Sequence, residues 1–138
     1  MIVLDLLKTL PFFSSLSEED NIKIIENVKL HYFPPDHVIF KEGEGANEMY
    51  VIRFGRVKIY REENGTEKKI AELGPSDFFG EIALISEKPR NASVKTLEEC
   101  EAFSIKRDDL KDLIEKKPEI AEKIKEGFIA RVRQNAEK

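Results

Sequence analysis

The sequence predicts a mainly β protein with flanking α structure: an antiparallel β-roll of the jelly-roll type, with N-terminal helices before it and two C-terminal helices after it. Three observations lead there. Between residues 28 and 106, seven short apolar runs are separated by turn punctuation, and several alternate with period two. No long helical segment interrupts them, which favours an antiparallel sandwich or barrel over a βαβ fold. Helical texture occupies both ends, residues 1–27 and 107–138, and the whole of 1–138 reads as a single domain.

Each element has its own signal. Ile2, Val3, Leu6, Leu7 and Leu10 recur at helical spacing until Pro11 stops them. Ser17, followed by Glu18, Glu19 and Asp20, reads as a capped helix start, with Ile22, Ile25 and Val28 on one face. The strand runs are VKLHYF, HVIF, MYVIRF, RVKIY, KKIAEL, ASVKTL and CEAFSI, enough for seven or eight strands. Asn64-Gly65 between two of them is a strong hairpin signal, because both residues tolerate positive φ. After Lys106, RDDLKDLIEKK places Asp108 and Asp109 in a first turn and lysines in the last, as the helix dipole prefers. Pro118 then opens a second helix, PEIAEKIKEGFIARVRQ. Its Ile120, Ile124, Phe128 and Val132 form an apolar stripe, and Gly127 offers a bending point.

Composition narrows the function. With 41% hydrophobic and 36% charged residues, the 138-residue chain is an ordinary globular protein. The longest apolar stretches fall well short of a membrane span, and the N-terminus lacks the basic start of a signal peptide, so a cytoplasmic protein is expected. Cys100 is the single cysteine, which excludes an internal disulfide, and its apolar strand predicts a buried, inert thiol. His31 and His37 are too few for the three-histidine metal site of a cupin barrel, so no metal is expected. A net charge of −4 argues against nucleic acid as a partner, since phosphate contacts demand a basic face. No activated serine or cysteine motif and no triphosphate loop is present, so a receptor is expected and not an enzyme.

The segment FGEIALISEKPRNASV, residues 79–94, carries the chemistry. Gly80 permits a tight turn, and the apolar run after it suits one helical turn whose first N–H groups can meet an anion. Pro89 fixes the approach to Arg90, whose planar fork suits a phosphate. Glu81 accepts hydrogen bonds, and a ribose hydroxyl donates them. Hydroxyl and phosphate a few ångströms apart describe a cyclic nucleotide.

The segment resembles the phosphate-binding cassette of the cyclic nucleotide-binding domain family, the module of cAMP receptor proteins, kinase regulatory subunits and cyclic nucleotide-gated channels. EMYVIRFGRVKIY resembles the family's paired strands broken by a glycine, here Gly55, and KEGEG resembles its earlier glycine turn. The resemblance implies binding roles for Gly80, Glu81 and Arg90, small cassette positions at Ala83 and Ala92, and a hydroxyl near the phosphate at Ser93. Ile82 and Asn91 fall within the same cassette, and Ile59 and Ile70 match strand positions that line the base pocket. Glu44 resembles an acidic residue that supports the cassette arginine. Ser76-Asp77 stand where the family often has Gly-Asp, which implies a different backbone for that turn. Asn91 stands where threonine often accompanies cGMP preference, and the missing hydroxyl favours cAMP, with cGMP as the alternative. No cofactor is implied beyond this ligand.

A pocket made by the roll alone would leave the base open to water. The second C-terminal helix is therefore expected to cover it, with Phe128, Ile129 or Arg131 reaching the base. The same stripe could instead pack permanently on the roll or pair two copies as a homodimer. Expected partners are the nucleotide and an effector domain or protein that it regulates. Two alternatives remain: the effector domain of a Crp-type transcriptional regulator whose DNA-binding part is absent from this chain, and a ligand-free interaction module of the same fold.

Overall fold

The computed structural model describes residues 5, 6, 8, 13, 14, 16–84, 86–123, 125 and 126. Helix α1, Glu18–Ile25, is capped by Ser17, whose Oγ accepts from the Asp20 N–H at 3.1 Å. Eight strands follow: β1 Lys29–Phe33, β2 Val38–Phe40, β3 Glu48–Phe54, β4 Val57–Glu63, β5 Thr66–Leu73, β6 Phe78–Phe79, β7 Ser93–Thr96 and β8 Cys100–Lys106. Helix α2, Arg107–Lys116, follows β8 directly, and residues 119–123 are helical again beyond Pro118.

The strands form two antiparallel four-stranded sheets in the orders β1-β8-β3-β6 and β2-β7-β4-β5. Strands β4 and β5 are joined as the sequence predicts. Asn64 and Gly65 adopt φ of 55° and 79°, and Glu63 pairs with Thr66 across the turn. The two-residue strand β6 has no run of its own in the sequence reading. It pairs Phe79 with Tyr50 and Phe78 with Val51, which delivers Gly80 to the edge of β3.

Strand β3 is buried on both faces, so its apolar residues run on without alternation. Met49 and Val51 join Phe13, Ile24, Ile105, Leu110 and Ile120 in the cluster that receives the helices. Tyr50 and Ile52 join Val57, Phe79, Val94, Cys100 and Ala102 in the cluster between the sheets. Cys100 is buried there, and burial pushes its thiol up from the ordinary value. One expectation for α1 is corrected. Ile25 and Val28 pack against the helix-side cluster, but Ile22 is 46% exposed and Ile24 takes the central place. The apolar face is narrower than the sequence suggests because Asp20 and Asn21 share the buried side.

Ser76 also departs from expectation. It adopts φ 72°, the left-handed conformation that glycine favours, so the turn keeps a glycine-like backbone without glycine. Asp77 holds it there: its carboxylate accepts from the Gly74 N–H at 2.9 Å, and its own N–H bonds the Gly74 carbonyl at 3.0 Å. The turn then docks on β3 through paired backbone bonds with Ile52.

Candidate functional site

Residues 80–83 and 88–91 line a cavity of about 960 Å³, within the range of small-molecule sites. Nine of the ten expected ligand residues line it: Ile59, Ile70, Gly80, Glu81, Ile82, Ala83, Arg90, Asn91 and Ala92. Ser93 does not. Its hydroxyl accepts from the Glu42 N–H at 2.9 Å and pins the loop after β2 to β7. The sequence shows a hydroxyl at 93 but not which backbone group comes to meet it.

Gly80 is demanded twice over. Its φ is 78°, and a Cβ there would lie 2.6 Å from Nη1 of Arg90. The arginine lies across the glycine, which accounts for the two residue types ten positions apart. After Gly80 the chain makes the expected short turn, a 3-10 helix over Glu81–Leu84.

Arg90 is only 8% exposed. Its Nη2 donates to the Glu48 carbonyl at 2.8 Å, and its guanidinium carbon sits 3.9 Å from the centre of the Phe40 ring. Nε has no partner, and the guanidinium makes no ion pair with any described carboxylate. Burial pushes the group down from its ordinary value. Nearby Tyr50, Glu48, Glu44 and Glu81 pull it back up. An arginine stays charged under such conditions. The result is a buried cation whose charge no described carboxylate neutralises by contact.

The support around it was only partly foreseen. The link between Glu44 and Arg90 is made by the main chain: the Arg90 N–H bonds the Glu44 carbonyl and the Gly43 N–H bonds the Arg90 carbonyl, both at 2.8 Å. The Glu44 carboxylate instead closes its own turn by accepting from the Lys41 N–H at 2.6 Å. Glu48 carries no functional signal in the sequence, and its carboxylate also accepts from the Tyr50 hydroxyl at 2.6 Å. Burial first, and that bond second, hold the Tyr50 phenol far above its ordinary value. The Tyr50 ring stacks on Phe79 at 5.2 Å, so one aromatic layer underlies both Gly80 and Arg90.

Two more groups join the wall. Arg61 on β4 lines the cavity, and its Nε donates to the Asn91 carbonyl at 2.9 Å. Glu122, Lys125 and Glu126 bring the last described helical segment to the cavity's edge. At the root of α2, Arg107 Nη1 reaches three carbonyls: Ser86 at 2.9 Å, Ala83 at 3.2 Å and Ala46 at 3.3 Å. The expected lid residues Phe128, Ile129 and Arg131 lie outside the described residues, as does Ile124, while Ile120 is fully buried. Among the described residues no group of three or more His, Cys, Asp or Glu could hold a metal ion, and no helix is long and apolar enough to cross a membrane.

Residues 30–117 match the family model described as cyclic nucleotide-binding domain. Over 103 residues the chain is 39% identical to a CRP-like cAMP-activated global transcriptional regulator of Mycobacterium tuberculosis, covering 74% of this chain and 46% of that protein. The chain thus spans less than half the length of that relative. Among solved structures, the N-terminal domain of a transcriptional regulator from Streptomyces coelicolor aligns with a TM-score of 0.79 at 27% identity, covering 96% of this chain and 94% of that one. The regulatory domain of Toxoplasma gondii PKA, crystallised with cAMP, aligns with a TM-score of 0.76 at 25% identity, covering 80% of this chain and 42% of that one.

Proposed function

The chain belongs to the cyclic nucleotide-binding domain family, and from that premise we propose that it is a receptor module for cAMP which reports occupancy through its C-terminal helices. The observation that carries this reading is Arg90: a cation 8% exposed, bordering a cavity of about 960 Å³, with Nε unpartnered and no described carboxylate in contact. Leaving a buried charge unpaired is costly, and a ligand phosphate removes that cost. Glu81 takes the ribose hydroxyl beside it, and Ile59 and Ile70 take the base.

The cAMP preference draws on two relatives, the cAMP-activated Mycobacterium tuberculosis regulator and the cAMP-bound Toxoplasma gondii regulatory domain. Arg107 supports the route outwards. It binds the cassette carbonyls of Ala83 and Ser86 from the first residue of α2, so a shift of the cassette moves the root of the helix. Phe128, Ile129 or Arg131 then closes over the base, and the effector is a domain or protein joined to that helix. The likeness to two transcriptional regulators favours a second reading of the whole protein, as the sensory part of a regulator that acts on DNA. In that case the same helices form the seam of a homodimer.

Calorimetric titration of cAMP and cGMP tests the proposal. Saturable binding of cAMP, tighter than that of cGMP, is expected. Absence of binding by both nucleotides refutes the receptor reading. Hydrogen exchange across residues 118–135 should slow in the complex, and protection confined to residues 79–94 would remove the lid from the scheme.

A further inference from the structure

Arg61 is exposed, and its conformation is nevertheless fixed at one atom. Its Nε is committed to the Asn91 carbonyl, thirty positions away in sequence, while its other two nitrogens have no partner among the described residues. It lines the same cavity as Ile59, two residues earlier on β4, and Ile70 on the paired strand β5. An arginine that served only as a solvated surface charge would not need this tether.

From this juxtaposition we infer that Arg61 is a base-contacting residue that reads the imidazole edge of the bound purine, an edge whose N7 acceptor adenine and guanine share. The inference rests on the receptor reading above and names a contact within the same site. Arginine only donates, so the atom it meets must be an acceptor. The single negative charge of a cyclic phosphate is already matched by Arg90, which leaves Arg61 for the base. The exocyclic amine of adenine is itself a donor and is excluded as a partner. The acceptor N7 sits on the five-membered ring, the ring joined to the sugar. Arg61 is anchored one residue from the phosphate arm, so it lies nearer that ring than the pyrimidine edge. A base resting on Ile59 and Ile70 then has its N7 edge beside the guanidinium. The tether to Asn91 also joins base recognition to the backbone that carries Arg90.

The test compares cAMP with 7-deaza-cAMP, in which a C–H replaces the acceptor. The unmodified chain should bind the deaza analogue about tenfold more weakly, the usual size of one charge-assisted hydrogen bond. Arg61→Met, which keeps the stem and removes the donors, should bind the two nucleotides within threefold of each other. Arg61→Lys should restore part of the gap. If the unmodified chain binds both nucleotides equally, or if Arg61→Met weakens both by the same factor, Arg61 only braces Asn91 and the inference is wrong. A chain that binds neither nucleotide overturns the receptor reading instead.

Discussion

Two buried charges in this molecule, Asp20 and Arg90, are handled differently. Asp20 in α1, 5% exposed, meets Lys117 Nζ at 2.7 Å. Arg90, 8% exposed, meets backbone carbonyls, an aromatic face and the cavity. The Asp20 pair ties α1 to the junction behind α2, where a charge is useful because it is satisfied. At Arg90 the charge has no ion-pair partner among the described residues, as the proposed phosphate site requires. Similar burial therefore marks a structural bond in one place and the proposed receptive site in the other, and the partners tell them apart.

The largest expected effect breaks the Arg90 side of that contrast. Arg90→Ala should cost about 2–5 kcal/mol of nucleotide binding, the range for truncating one member of a buried charge pair. The variant also loses the bond to the Glu48 carbonyl, so an unfolding titration should show a loss of about 1–3 kcal/mol from the acceptor left unpaired. Affinity within threefold of wild type would return Arg90 to the same class as Asp20.

Next in size is the ribose contact. A charged hydrogen bond from the 2′-hydroxyl to Glu81 is worth about 1.5–3 kcal/mol, so the 2′-deoxy nucleotide should bind roughly ten- to hundredfold more weakly. Equal affinities would detach Glu81 from the ligand.

The Asp20 pair should respond to pH and not to nucleotide. The hydrogen bond from Lys117, its largest influence, holds the Asp20 carboxyl below the ordinary 3.8. Its contribution to stability is therefore complete above that value and is lost as pH falls through the lowered one. Lys117 is shifted the opposite way, above the ordinary 10.5, so its share is complete below that value and fades as pH rises through the raised one. Thermal unfolding of Asp20→Asn should show a flatter acid limb than wild type, with cAMP affinity at neutral pH unchanged. A parallel pair of acid limbs would mean that the bridge contributes nothing.

The smallest effect lies in the scaffold that carries the cavity. Ser76 holds a left-handed conformation costing about 1–2 kcal/mol for a residue with a side chain, partly offset by the extra freedom that glycine has when unfolded. Ser76→Gly should therefore raise stability by about 0.5–1 kcal/mol with binding unaltered, read as a small upward shift in Tm. A downward shift would show that the serine is not strained.

What the sequence made legible follows the same division. The Asn64-Gly65 hairpin, the strand runs and the glycine-to-arginine spacing of the cassette all depend on local residue chemistry, and each appears in the structure. The surroundings of Arg90 depend on main-chain atoms far away. The Glu48 carbonyl, 42 positions back, and the N–H of Gly43 carry no residue-type signature. The partner of the Ser93 hydroxyl is hidden in the same way, because it is the backbone N–H of Glu42. Phe40 was legible as an apolar strand residue, but not as the floor beneath a guanidinium.

The 2.6 Å approach between a notional Cβ at Gly80 and Nη1 of Arg90 has a consequence for descent. Two positions that constrain each other record a shared history. A lineage that gives up the ligand is released from the arginine first, because a side chain at 80 must push the guanidinium aside as well as hold a left-handed backbone. Only then can position 80 accept a side chain, provided the turn also relaxes its φ of 78°. Descendants of this chain that have stopped binding should therefore include some that keep the glycine without the arginine, and almost none that keep the arginine without the glycine.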